Sequence, residues 1–218
     1  MPSGTALGAS AGFGGILAIM KANPFASQVT IATCKTSLAD IIAQKRVEGA
    51  EQIDWRRNII FVMFGCFYLG GVQWMLYVRL FKRLFPSVET FCNQPLREKI
   101  KNKEGMKALF SQIGLDIIVF QPFMYFPVFY NFKTLMSTDP EVHASLSNHF
   151  SAAFARWRTN FFEDNVGMSF FWFPADLVIY SVPVYLRLPL VHTVSFAWSC
   201  ILSVFRGDTA HAKKLESA

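Results

Sequence analysis

Twenty consecutive residues without a charge, Ile59 to Val78 (IIFVMFGCFYLGGVQWMLYV), restrict this chain more than any other feature. As an α-helix they extend about 30 Å, the thickness of a hydrocarbon core. Arg56 and Arg57 precede the run, and Arg79, Lys82 and Arg83 follow it. Long basic side chains at both ends of an apolar helix reach out to headgroups while their stems stay in the apolar layer. The run therefore predicts a membrane-spanning helix.

The signature recurs. Ala108 to Phe132 carries Asp116 as its sole charge, Val166 to Leu186 carries Asp176 alone, and Leu188 to Phe205 is uncharged between Arg187 and Arg206. Pro183 and Pro189 bracket Arg187, so this stretch reads as two short helices or one bent element. Phe25 to Gln44 is more polar, with Lys35, Asp40 and several Ser and Thr, and is expected to face other helices rather than lipid. Between Val142 and Phe162, residues Leu146, Phe150, Phe154, Trp157 and Phe161 recur at helical steps, with Ser147, Ser151 and Arg158 on the other side. Such a helix either lies in the membrane interface or packs on the edge of a bundle. Pro86 to Lys107 reads as a basic loop.

Composition agrees. Over 218 residues the chain is 52% hydrophobic and only 17% charged, against about 25% charged in soluble domains. These figures exclude disorder. Four scattered Cys without paired spacing exclude a secreted disulfide scaffold. The fold class expected is all-α: a polytopic membrane bundle of four to five membrane-embedded helices plus one interfacial amphipathic helix. Residues 1–21 form a glycine-rich N-terminal segment, 22–206 the bundle and 207–218 a polar tail. The first twenty residues hold no Lys or Arg, so neither a signal nor a transit peptide is expected there. Gly4, Gly8 and Gly12 share one helical face, suited to close packing, or else belong to a flexible tail. Lys and Arg are shared equally between the two sides, so the positive-inside rule assigns no orientation.

Catalytic patterns are absent from the sequence. Its four His show no ligand spacing, there is no C-x-x-C, and neither a nucleophile elbow nor a phosphate loop occurs. No enzyme, cofactor or metal is expected. The net charge of +6 and the basic 97–107 stretch suit anionic headgroups rather than nucleic acid. The expected partners are thus the lipid bilayer and, beyond it, other membrane subunits or a second copy of the chain.

Polar residues within the spans are the candidate site. Asp40 and Gln44 share a helical face, and Asp116, Gln121, Asp176 and Arg187 lie in or between apolar runs. Each unpaired carboxylate in the membrane costs about 2.5–3.5 kcal/mol on insertion scales. The carboxylates must then either line a water path, together with Gln44, Gln73, Gln112 and Gln121, or pair internally. Internal partners would be Arg187 for Asp116 or Asp176, and Lys35 or a loop base for Asp40. Gly65, Gly70 and Gly71 mark the expected close helix approach.

An ordered series runs through the chain: Pro24, Asp40, Gln44, Arg57, Gly65, Gly70, Tyr77, Lys107, Asp116, Pro122, Val182, Pro183, Arg187, Trp198, Leu202 and Ser203. It resembles the family of small mitochondrial and peroxisomal membrane proteins named after Mpv-seventeen and peroxisomal membrane protein twenty-two, over about residues 24 to 205. The departures are specific. Gly71 stands where the family has the Pro of a G-P pair, Leu76 replaces the Trp of W-Y, and Ile117 follows Asp116 in place of Gln. Trp172, Pro174 and Asp176 sit two residues too close to Val182, the Asn-Phe is missing, and Ile201 replaces the closing Tyr.

The resemblance implies an integral protein of the mitochondrial inner membrane, or less often the peroxisomal membrane. It further implies a weakly selective channel that influences membrane potential and metabolite supply. A divergent member with fewer polar family positions would alternatively serve as a non-catalytic accessory subunit of a larger inner-membrane complex.

Overall fold

The computed structural model describes residues 22–137, 139–182 and 190–198, with Gly15 and residues 18–20. The readings that rest on Gly4, Gly8 and Gly12, on Pro183, Arg187 and Pro189, and on Leu202 and Ser203 lie outside the described residues. All described elements are helical, and no strand occurs among the described residues.

Helix α1, Pro24–Ile42, opens on a proline at its first turn, where the missing N–H costs nothing, and runs on into a wide turn over Ala43–Val47. Helix α2, Trp55–Leu84, is 30 residues long. Asp54 caps it by accepting the Arg57 backbone N–H. Short helices α3, Pro86–Cys92, and α4, Leu96–Lys99, lead to α5, Lys103–Thr134, capped by Asn102 on the Gly105 N–H. After α6, Pro140–His143, comes α7, Leu146–Ser181, 36 residues in one piece, and residues 190–198 form α8.

Among the described residues two helices, α2 and α5, are long and apolar enough to cross a membrane. The other expected spans are more polar or shorter there: α1 carries Lys35, Asp40 and a row of hydroxyls, the first half of α7 is polar on one side, and α8 is short. Two expectations are corrected. The basic loop 86–107 is two short helices and the start of α5, because Val88, Phe91 and Cys92 form a buried stripe against α5. The amphipathic segment and the Val166 run are not separate elements but the two halves of α7. Asp164, between the two segments, accepts the Tyr130 hydroxyl of α5, and the helix passes through it.

Helix α1 packs on the middle of α2, Phe64–Val72. Glycine is required at that crossing. A Cβ on Gly65 would lie 2.1 Å from Thr36 Oγ1 and 2.9 Å from the Ala32 carbonyl, and one on Gly70 would lie 2.7 Å from Val29 Cα. Gly71 is not part of the contact. It is turned away from α1, and its added Cβ would meet only the Cys66 carbonyl at 3.7 Å. An aromatic cluster of Phe64, Tyr68, Tyr125 and Phe129 joins α2 to α5, and Phe171 of α7 stacks against Trp198 of α8 at 4.9 Å. Large apolar side chains also cover the outside: Phe67, Ile118, Phe123 and Phe170 are all exposed, Phe170 by 81%. An apolar exterior around polar buried residues suits lipid rather than water.

Candidate functional site

The polar residues within the bundle fall into two groups with different chemistry. The first closes the α1–α2 end. Asp40 is buried and faces Arg57, whose Nε lies 2.8 Å from its Oδ1. Its other oxygen accepts from Gln44 Nε2 at 2.8 Å and from Asn58 Nδ2 at 3.0 Å. Gln44 Oε1 in turn accepts the Asp54 backbone N–H at 2.6 Å, and Arg57 reaches Glu48 at 2.8 Å. Asn58 and Ser37 exchange hydrogen bonds across the same contact. Asp40 Oδ1 meets Arg57 as an ion pair without a hydrogen bond, and the set acts as a clasp that fixes the turn between α1 and α2. Asp40 does not pair with Lys35. Five residues along an α-helix place the two on well-separated faces, and Lys35 instead donates to Ser195 Oγ of α8 at 2.5 Å.

The second group surrounds a cavity of about 240 Å³ at the centre of α1, α2, α5, α7 and α8. Its polar lining includes Gln28, Lys35, Gln73, Gln112, Asp116, Gln121, Asp176, His192 and Ser195. Asp116 is buried and accepts the Tyr77 hydroxyl of α2 at 2.7 Å, with the Gln121 amide against the same carboxylate. A wide turn makes this possible. Pro122 has no N–H, and over Asp116–Tyr125 the helix opens so that the Phe126 N–H reaches the Gln121 carbonyl, five residues back. With a wider turn, residues five apart come onto one face, and Asp116, Gln121 and Tyr125 are all buried.

Asp176 of α7 is also buried in the wall, close enough to feel the charge of Asp116, and its Oδ2 has no hydrogen-bond partner among the described residues. Two donors on the wall are unmatched there as well, Trp172 Nε1 and Trp198 Nε1, as is the ring nitrogen His192 Nδ1. The other ring nitrogen of His192 lies 3.0 Å from Gln28 Oε1. No ion pair links Lys35 to either cavity carboxylate among the described residues.

The six polar candidates are thus divided. Asp40 and Gln44 belong to the clasp, Asp116, Gln121 and Asp176 to the cavity, and Arg187 lies outside the described residues. Sequence reasoning did not assign Lys35, His192, Ser195 or Gln28 to this site. A lysine inside an otherwise apolar helix and a histidine inside an uncharged run were the available signals. Lys35 was read as an Asp40 partner, and His192 was passed over for want of a second ligand at metal spacing.

Fold and site together define a helical bundle with an apolar exterior and a polar cavity of about 240 Å³ inside it. The chain is similar to Protein SYM1 of Debaryomyces hansenii, 24% identical over 165 residues that make up 75% of this chain and 73% of the relative. No family profile matches the chain. No solved structure matches it.

Proposed function

We propose that this chain is an integral protein of the mitochondrial inner membrane whose four to five embedded helices enclose a path for small polar solutes. The observation that carries the reading is the central cavity. It brings two lysines, one histidine, three carboxylates and several amides together inside an apolar shell. Charged groups within a bundle are costly unless they face water or one another, and the cavity groups are only partly satisfied by one another. Water and a passing solute would complete them. The order of motifs resembling the Mpv-seventeen family supports this reading, as does the similarity to Protein SYM1. On this account α1 and the second half of α7 join α2 and α5 in the membrane, with their polar residues turned to the interior. The chain acts by conduction rather than catalysis.

The test is passage of solutes through the purified protein in sealed liposomes loaded with small labelled ions and metabolites. Faster loss than from protein-free liposomes supports the path. Equal retention over the full solute series overturns it and leaves the accessory-subunit role, which predicts recovery of the chain in a larger inner-membrane complex. Subfractionation of mitochondria tests the location. Recovery in the peroxisomal membrane would contradict it.

A further inference from the structure

Apart from the exposed Lys82–Glu89 pair, which also lines it, the charges around the central cavity are separated by sign. Lys35 of α1 sits with His192 and Ser195 of α8, held by the 2.5 Å bond from Lys35 Nζ to Ser195 Oγ. Asp116 of α5 and Asp176 of α7 occupy the other part of the wall, beside Tyr77. Five buried polar atoms on this wall lack hydrogen-bond partners among the described residues: Asp176 Oδ2 and Gln121 Oε1 as acceptors, Trp172 Nε1 and Trp198 Nε1 as donors, and His192 Nδ1, an acceptor while Nε2–H donates to Gln28 Oε1. Asp176 is 3% exposed, so bulk water does not serve its free oxygen. A bound solute carrying one cation and one anion would satisfy both parts at once, and a singly charged solute would satisfy only one.

The volume narrows the choice further. About 240 Å³ is below the ~300–1,000 Å³ of pockets for drug-sized ligands, so a nucleotide is too large and a small metabolite fits. Tyr77, Phe81 and Trp172 complete the wall and accept an apolar side chain.

We propose that the cavity is a binding site for a small amino acid in its zwitterionic form, with the ammonium received by Asp116 and Asp176 and the carboxylate by Lys35. The inference rests on the solute-path reading and names the solute class.

The experiment is equilibrium binding to the full-length protein purified in detergent, with L-alanine, L-leucine, ethylamine and propionate as probes. The amino acids are expected to bind at least tenfold more tightly than ethylamine or propionate. Asp176→Asn and Lys35→Met are each expected to weaken amino-acid binding at least tenfold, with cooperative thermal unfolding retained. Ethylamine or propionate binding as tightly as L-alanine overturns the assignment. So do folded Asp176→Asn and Lys35→Met proteins that bind amino acids like the wild type. Should Lys35→Met fail to fold, Lys35→Gln, which also removes the charge but keeps a polar group for Ser195, gives the same comparison. Liposome leakage of ions without any amino-acid binding would remove this inference and leave the solute path standing. Amino-acid binding without leakage would do the reverse.

Discussion

The Tyr77 hydroxyl donates to Asp116 Oδ1 at 2.7 Å, joining two helices through a carboxylate that is buried on all sides of α5. A hydrogen bond to a charged acceptor inside a bundle both holds the helices and orients the carboxylate toward the cavity. Replacing Tyr77 by Phe removes the donor and keeps the ring. The expected loss is about 2 kcal/mol of stability, in line with hydrogen bonds to charged groups. Thermal unfolding in detergent measures it, and an unchanged midpoint would contradict the role.

The α1–α2 crossing makes a paired prediction. Gly65→Ala places a methyl against Thr36 Oγ1 and the Ala32 carbonyl, an overpacking cost of about 1–3 kcal/mol. Gly71→Ala has open space and, by removing a helical glycine, adds about 0.5 kcal/mol. Parallel melts of the two variants check the contrast. Equal melting points would mean that α1 does not cross α2 at Gly65.

The clasp predicts a third effect. Arg57→Met strands the buried Asp40 carboxylate, with an expected loss of about 3 kcal/mol. Asp40→Asn in the same background removes the stranded charge and is expected to recover part of that loss. Urea unfolding of the single and double variants reads the coupling. Strictly additive losses would contradict a direct pair.

The Tyr130–Asp164 contact predicts continuity of α7. Tyr130→Phe is expected to raise amide exchange around residues 161–167 while leaving the first turn of α7 as it was. Hydrogen exchange followed by mass spectrometry shows this directly.

How far the sequence disclosed these features depends on which physical rule governed each one. Helices α2 and α5 were legible because each holds an apolar run of membrane length, uncharged in α2 and with Asp116 as its sole charge in α5. Gly65 and Gly70 were legible as close-packing positions. Gly71 was not separable from them, since adjacent residues on a helix differ in direction and only the crossing decides which one is used. The unity of α7 was hidden, because an amphipathic segment and an apolar run differ in pattern, and the contact of Asp164 between them with Tyr130 is tertiary. The shared face of Asp116 and Gln121 was hidden too. It depends on a widened turn at Pro122, which the ordinary 3.6-residue period does not describe. The division of the polar residues into clasp and cavity depends on contacts between residues far apart in the chain, such as Lys35 with Ser195.

The central claim is that Asp116 and its neighbours line a path through the membrane. Conductance of the purified protein in a planar bilayer, wild type against Asp116→Asn, tests it most directly. The account predicts a measurable wild-type conductance and, in a variant that still folds, an altered conductance and a reduced preference for cations. A wild-type protein that is folded yet electrically silent, with Asp116→Asn changing only thermal stability, would contradict it.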